Sequence, residues 1–295
     1  MSLTIRAFAK INLTLEALAK RDDGYHEVAT VLQTISLADT LSIETGDTLE
    51  FSCSVPGLQS GDNLVLRAAK MLREAAGCAR GAHIKLTKGI PIAAGLGSGA
   101  TDAAAALVGL NRLWETNLPP QRLSEIAAGL GSDVASFIYG GTVLAKGRGE
   151  KVAYLPPLQE TWLVLLMPQI DTIPNKTAQL YAKLDPSHFT SGQFTERLVN
   201  HLYEGASINA SLLYNVFEQV AFDFFAGLSG YNSIFMKAGA VTVHLAGAGP
   251  CLFTLVSDEN SGKAVLSNLE AEGQEAYLVR TTDAEPFASV SDRKC

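Results

Sequence analysis

Three glycines at alternate positions, Gly95, Gly97 and Gly99, stand between two segments of different periodicity. His83 to Lys88 alternates in polarity and is β-compatible. From Ala100 onward, Ala103, Ala104, Leu107, Leu110 and Trp114 recur at helical spacing. Strand, glycine loop and helix in that order can make an anion site. Glycine lets the backbone bend sharply and approach a ligand closely. The helix that follows points its unpaired N–H groups and positive dipole end into the loop, and phosphate is the usual anion there. The same spacing would also serve a plain turn in which Ser98 or Thr101 caps the helix. No Gly-Lys-Ser/Thr follows, so the loop is not a Walker A loop. The Gly-x-Gly-x-Gly spacing, with no acidic residue ending a following strand, is not the dinucleotide fingerprint either.

Other polar residues stand where they could do chemistry or merely complete the fold. Lys10 and Asn12 interrupt the apolar positions of Leu3 to Leu18, where a lysine can simply snorkel to water. Tyr25 and His26 follow a hairpin-type turn at Asp23-Gly24. They could stack on a ring or shield the core. Asp133 follows Gly131-Ser132 at a helix N-cap position before VASFIYGG, and most aspartates so placed only cap.

Composition narrows the classes. The chain has 295 residues, 47% of them hydrophobic and 18% charged, ample for a sizeable core. A net charge of −7 argues against a broad nucleic-acid surface. An acidic protein that binds phosphate must gather its cations locally, and Lys10, Lys20, Arg21, Lys85 and Lys88 lie near the glycine-bearing stretches. No run has signal-peptide character or the ~20 apolar residues of a membrane span, so a cytoplasmic protein is expected. Cys53, Cys78, Cys251 and Cys295 form no Cys-x-x-Cys pair and read as free thiols in a reducing compartment. The Asn-x-Ser/Thr sites at Asn12, Asn175 and Asn209 carry no meaning without secretion. His26, His83, His188, His201 and His244 are scattered, so no metal cage is visible. Mg²⁺ would escape that test, since substrate phosphates supply most of its ligands.

The elements that must position these residues follow from pattern. Leu3 to Leu18 reads as one or two strands, Val28 to Leu37 as a buried strand or short helix, and Thr40 to Glu44 as another strand. Asp62-Asn63 opens an amphipathic helix that Gly77 stops. Pro119-Pro120 breaks the focal helix, and Arg122 to Leu130 forms another. Gly140-Gly141 turns the chain into two strands around Gly147-Arg148-Gly149. Pro156-Pro157 is the best boundary. It divides the chain into a first domain at 1–157 and a second at 158–285, with a tail at 286–295; the residues from Asp283 look frayed. In the second part Trp162 to Met167 is a buried strand, and 173–184, 195–203 and 215–225 look helical. Val241 to Leu245, Cys251 to Val256 and Glu275 to Val279 are strands, with a helix over 262–272. Two strands, a helix and a strand form the tail of a ferredoxin-like α+β domain.

Three stretches stand in one order: AKINLTLEALAKRDDGYHEVATVLQTISLADTLSIE from Ala9, PIAAGLGSGATDAAAAL from Pro91 and LAGAGPCLF from Leu245. Together they resemble the GHMP kinases over nearly the whole chain, with Asp62-Asn63-Leu64 and Gly131-Ser132-Asp133-Val134 at further family positions. The resemblance implies a two-domain α/β (α+β) kinase. Its N-terminal domain would be ribosomal-S5-domain-2-like and its C-terminal domain ferredoxin-like, with the active site in the cleft between them. The implied reaction is ATP- and Mg²⁺-dependent phosphorylation of the 2-hydroxyl of 4-diphosphocytidyl-2-C-methyl-D-erythritol, in isoprenoid precursor synthesis. Lys-x-Asn-Leu and Lys-Arg-x-Asp-Gly-Tyr-His-Glu are the motifs that select this branch.

By the match, Lys10 and Asp133 are the catalytic pair. Pro91, Ile92, Ala93, Ala94, Gly95, Leu96, Gly97, Ser98, Gly99, Ala100 and Thr101, with Asn63, hold ATP, and the adenine pocket falls near Asn63 and a loop after Ile43. Asn12, Tyr25, His26, Thr177 and Tyr181 bind the substrate, and no metal ligand is assigned. The expected partner is this cytidine diphosphate alcohol, with no nucleic acid or membrane, on a monomer or homodimer. The chain departs from the family pattern at Ala93, Ala94 and Ser98, where glycine is usual, at Ala100 in place of a serine, and at Ala248. A positive φ at Ala93 or Ala94 is therefore not expected. Another GHMP small-molecule kinase, or a non-catalytic nucleotide-binding protein on the same fold, are the rival readings.

Overall fold

The computed structural model describes residues 2–283 and 291–293. In chain order the elements are β1 (Ser2–Lys20), β2 (His26–Gly46), β3 (Leu49–Cys53), α1 (Leu64–Ala76), β4 (Gly81–Thr87), α2 (Ser98–Leu113), α3 (Pro120–Ala128), α4 (Ser132–Tyr139), β5 (Thr142–Gly147) and β6 (Lys151–Tyr154). Then come β7 (Trp162–Met167), α5 (Lys176–Ala182), α6 (Gln193–Tyr203), β8 (Tyr214–Asn215), α7 (Glu218–Phe224), α8 (Leu228–Lys237), β9 (His244–Leu245), β10 (Leu252–Val256), α9 (Glu259–Ala271), β11 (Glu275–Arg280) and β12 (Ser291–Arg293).

The first sheet is built on one long hairpin. β1 and β2 are each single strands, where a buried strand or short helix over Val28 to Leu37 and a separate strand over Thr40 to Glu44 were expected within β2. The register slips between Phe8 and Lys10, and that break divides the hairpin's work. The outer half of β2 pairs with β4, and the half near the turn pairs with β5. A slip of this kind re-aims side chains and lets a strand bend. α1 and α2 pack on this sheet through Leu72, Leu107 and Leu110 against Ile5, Leu41 and Ile43. Gly109 lies inside α2 because a Cβ there would sit 2.4 Å from Ile5 Cδ1 and 2.6 Å from Ile43 Cδ1. Asn63 caps α1 by accepting from the Val65 N–H at 2.9 Å, and Gly77 ends it in the left-handed region at φ 60°.

The second sheet has the order β11-β7-β10-β9, all antiparallel. Numbered by sequence that is 4-1-3-2, the ferredoxin-like order. β7 is apolar on both faces for a structural reason. Val164 and Leu166 face Phe217, Phe225 and Phe235 of its own helical layer. Leu163 and Leu165 join Ile11, Leu13, Val31 and Ile35 of the first sheet in another core. Side chains alternate along a strand, so one strand serves two cores.

Several expectations change. The helix expected over 215–225 begins at Glu218, because Tyr214–Asn215 is a strand parallel to Thr14–Leu15 of β1. The strand expected from Val241 shrinks to His244–Leu245, and Val241 is exposed. α8 was not foreseen. Its sequence LSGYNSIFMK holds glycine, asparagine and serine and buries only Leu228 and Phe235. In the stretch expected to fray from Asp283, Ser291–Arg293 pairs with Ser2–Thr4 of β1; 284–290 and 294–295 lie outside the described residues. The sheets change at Pro156-Pro157, yet β8 and β12 return to the first sheet.

Candidate active site

The loop between β4 and α2 is strapped from both sides. The Lys10 N–H donates to Leu96 O at 3.0 Å, and the Cys251 N–H donates to Ala94 O at 3.2 Å. A Cβ on Gly95 would lie 2.0 Å from Ala246 O, and one on Gly97 would lie 2.5 Å from the Phe137 ring. Both have positive φ, 88° and 77°. So these two glycines are required by the protein's own packing. A Cβ on Gly99 would meet only Leu64, at 3.6 Å, so packing makes no such demand there. Ala93 does adopt positive φ, at 56°, against expectation. Holding an alanine there costs about 1–2 kcal/mol.

No side chain caps α2, whose N-cap is Gly97, so neither Ser98 nor Thr101 serves as the cap. Thr101 is buried, and Ser98 Oγ accepts from Lys88 Nζ at 2.5 Å. Lys88 also contacts Asp39 and, at 2.7 Å, Asp102. Asp39 in turn accepts the N–H groups of Gly89 and Ile90 at 2.6 and 2.8 Å, fixing the start of the loop. Burial pushes the Asp102 carboxyl up to about 8, opposed by Lys88 and reinforced by Asp39. The cluster is therefore one ion pair beside a neutral acid at pH 7.

Lys10 lies at the slip in β1 and is buried. Its Nζ donates to Asn12 Oδ1 at 2.7 Å, Asn12 Nδ2 donates to Thr30 Oγ1 at 2.7 Å, and that hydroxyl donates to Thr14 O at 2.6 Å. The chain leaves Lys10 no snorkelling freedom. Across from it, Asp133 Oδ2 stands 3.5 Å from Nζ with its side chain 48% exposed. Asp133 is not the N-cap. Gly131 takes that place, and Asp133 lies in the first turn of α4. A carboxylate there still suits the helix dipole.

These groups border a cleft of about 550 Å³, a size that suits a nucleotide-scale ligand. Ile92, Ala93, Ala94, Gly95, Gly97, Ser98, Gly99 and Ala100 line it, as do Lys10, Asn12, Asn63, Asp133, Thr177 and Tyr181. Pro91, Leu96, Thr101, Tyr25 and His26 do not. The expected loop after Ile43 is not a loop, since β2 runs through Gly46; Leu58, Ser60 and Asp62 wall that end instead. Asn63 is occupied twice, by its cap bond and by Nδ2 donating to Leu58 O at 2.8 Å.

His26 is buried and stacks on Tyr181, centroids 4.8 Å apart, with Tyr181 edge-on to Phe217 at 4.7 Å. Burial and the charge of Lys20 hold the His26 imidazole below its usual pKa, so it is neutral at pH 7. Its Nε2 is buried without a hydrogen-bond partner. Tyr25 is 56% exposed, with the Arg148 guanidinium 4.9 Å from its ring centre. Arg148, Asp102 and Lys176 also line the cleft, and the sequence reading singled out none of them. For Lys176 a signal was available, since it precedes Thr177 in the same segment.

Residues 63–141 match the family model GHMP kinases N terminal domain, and 199–275 match GHMP kinases C terminal. A 4-diphosphocytidyl-2-C-methyl-D-erythritol kinase of Dehalococcoides mccartyi is 44% identical over 95% of this chain and 98% of its own. One of Pelotomaculum thermopropionicum is 40% identical over 95% and 98%. A crystal structure of 4-(cytidine 5'-diphospho)-2C-methyl-D-erythritol kinase superposes with a TM-score of 0.80 at 30% identity, covering 94% of this chain and 98% of that one. A homoserine kinase from Cytophaga hutchinsonii, 19% identical with a TM-score of 0.73 over 95% and 94%, shares the fold. With its glycine loop, its facing lysine and aspartate and its two sheets accounted for, the chain belongs to the GHMP kinases, ATP-dependent small-molecule kinases, and groups among them with the 4-diphosphocytidyl-2-C-methyl-D-erythritol kinases.

Proposed function

We propose that this chain transfers the γ-phosphoryl group of ATP to the 2-hydroxyl of 4-diphosphocytidyl-2-C-methyl-D-erythritol, giving the 2-phosphate and ADP. The observation that carries the reading is the Lys10–Asp133 pair, 3.5 Å apart and open to the cleft beside the glycine loop. Phosphoryl transfer asks for in-line positioning and charge neutralisation more than covalent chemistry. The loop from Ile92 to Ala100 and the N-terminal end of α2 cradle the triphosphate. Asp133 accepts the proton of the attacking hydroxyl or orients it. Its half-exposed carboxylate at the cleft can come within the ~3 Å such a transfer needs. Lys10, fixed by Asn12, neutralises charge on the nucleophile and the moving phosphoryl.

Tyr181, Thr177 and the neutral His26 behind Tyr181 suit a pocket for the cytosine, with the exposed Tyr25 at its rim. Mg²⁺ fits as an ion held mostly by triphosphate oxygens and water, because no group of three metal-ligating side chains occurs among the described residues. Asp102, with one buried carboxylate oxygen unpartnered at the cleft wall, is the side chain that would hold it, giving up its proton as the ion binds. When bound, the ion draws charge off the phosphoryl oxygens. Residues 1–157 act as the catalytic domain and 158–285 as its partner.

The test is ADP release by purified protein with ATP and Mg²⁺, with and without 4-diphosphocytidyl-2-C-methyl-D-erythritol. Release should depend on that alcohol and should not be supported by mevalonate, phosphomevalonate or homoserine. Release with one of those three instead would replace the substrate. ATP binding without release would favour a non-catalytic nucleotide-binding protein.

A further inference from the structure

The first residue of α5, Lys176, is a half-buried cation that the mechanism above does not use. Among the described residues it has no carboxylate partner. Its one polar contact is Nζ donating to Ala248 O at a long 3.4 Å. That carbonyl belongs to the Gly247–Pro250 turn, and the same turn also abuts Lys10. A Cβ on Gly247 would lie 3.0 Å from Lys10 Nζ. So two ammonium groups, one from each half of the chain, flank one tight turn at the cleft wall. The turn is held in place from behind, where Asn215 Nδ2 donates to Gly247 O at 2.8 Å and to Leu245 O at 2.9 Å.

Two cations brought together without a shared anion repel one another and lose hydration. Here burial and the charge of Lys10 push the Lys176 ammonium down to about 8. The other groups around it offer no relief. The buried Cys251 thiol is pushed up by its burial and the Tyr181 hydroxyl likewise, so both are neutral at pH 7. Asp133 is engaged with Lys10. Asp171 borders only a small neighbouring cavity of about 70 Å³ that Lys176 also touches. Such an arrangement costs stability in the empty protein and is relieved when an anion enters.

We infer that Lys176 is a phosphate-binding residue of this site: with Lys10 it clamps a phosphoryl group over the Gly247–Ala248 turn. The inference rests on the phosphoryl-transfer reading above. The phosphoryl oxygens can come from the diphosphate of the alcohol substrate or from the γ-phosphoryl of ATP. Lys176 precedes Thr177 and lies on the same short helix as Tyr181, at the cleft wall proposed for the base. A diphosphate joining that base to the reacting hydroxyl must pass between them.

The experiment compares wild type with Lys176→Met and Lys176→Arg in the full chain. It records kinetics with each substrate varied, calorimetric affinities for CDP, ADP and a β,γ-imido ATP analogue, and ligand-free melting temperature. Lys176→Met should lose at least tenfold in kcat/KM, and Lys176→Arg should recover most of it. The ligand-free Lys176→Met protein should melt no lower than wild type. A weaker CDP affinity and a raised KM for the alcohol assign the clamp to the diphosphate. A weaker affinity for the ATP analogue, with CDP and ADP unchanged, assigns it to the γ-phosphoryl. The inference is overturned if every affinity and rate in Lys176→Met stays within twofold of wild type. It is equally overturned if that variant melts lower and Lys176→Arg restores nothing, because Lys176 would then be structural. Wild-type turnover tests the reaction itself. The ratio of ligand affinities between variant and wild type tests Lys176 whether or not turnover is seen.

Discussion

Two lysine–carboxylate groups border the same glycine loop, and they are built for opposite purposes. Lys88 is enclosed with Asp39 and Asp102, all three side chains at most 6% exposed, and its ammonium contacts three oxygens. Lys10 is just as buried, at 6%, but its aspartate is 48% exposed and stands 3.5 Å away, beyond good hydrogen-bond distance. The first group is enclosed by the protein, which partners all of its charged atoms but Asp102 Oδ1, and it fixes where the loop begins. The second leaves carboxylate lone pairs and part of an ammonium facing a cleft. The same residue types thus make an enclosed anchor or an open pair at the cleft, and what differs is how far the protein itself completes their bonding.

The comparison breaks most directly at Asp133. Asp133→Asn should lower kcat by about 10²–10⁴, the usual contribution of a positioned acid or base. Melting temperature should hardly move, since a half-exposed pair contributes about 0–1 kcal/mol. Unchanged turnover would sink the catalytic assignment. Lys88→Met should do the reverse. Removing one partner of a buried ion pair costs about 3–5 kcal/mol. Denaturant unfolding should show that loss even where the folded fraction still turns over. An unchanged midpoint would show that the enclosed group is no anchor.

A smaller effect sharpens the contrast from inside the loop. Ala93→Gly relieves an alanine held at φ 56°. Against the extra freedom glycine gains in the unfolded chain, about 0.4–1 kcal/mol, the net stabilisation should be a few tenths to about 1 kcal/mol. A slightly higher melting temperature of the ligand-free protein is expected, and a lower one would contradict the strain.

The smallest shift is one of pH. The Lys176 ammonium sits at about 8 in the fold against 10.5 for an ordinary lysine. The folded chain therefore binds fewer protons than the unfolded one between those values, and stability rises with pH there. Ligand-free wild type should gain on Lys176→Met as pH climbs from about 8 toward 10.5. Melting curves at several pH values follow the gap, and a constant gap would mean that Lys176 titrates normally.

Local features were legible wherever one stretch carried its own cause. Asn63 and Gly77 delimit α1 because a cap and a left-handed stop act within a few residues. The loop before α2 could be seen from its glycines, and 4-1-3-2 closure of the second sheet from its last three strands and helix. Where a residue's environment comes from afar, the pattern misled or was silent. Ala93 takes positive φ in a loop whose next residue, Ala94, is tied to Cys251, 157 positions further on. α8 shows little periodicity because the phenylalanine core it meets lies mainly on other elements.

By itself the sequence determined the two-part plan, the glycine loop before α2, and Lys10 and Asp133 as candidates, through glycine placement, periodicity and motif order. Those are properties of short segments and of their arrangement along the chain. Tertiary structure alone decided which lysines are already partnered and which still face the cleft. Lys88 reaches Asp39 from 49 positions away, while Lys10 and Lys176 meet across a turn that belongs to a third segment. Charge pairing depends on distance and burial in three dimensions, and neither is written in the spacing of residues along the chain.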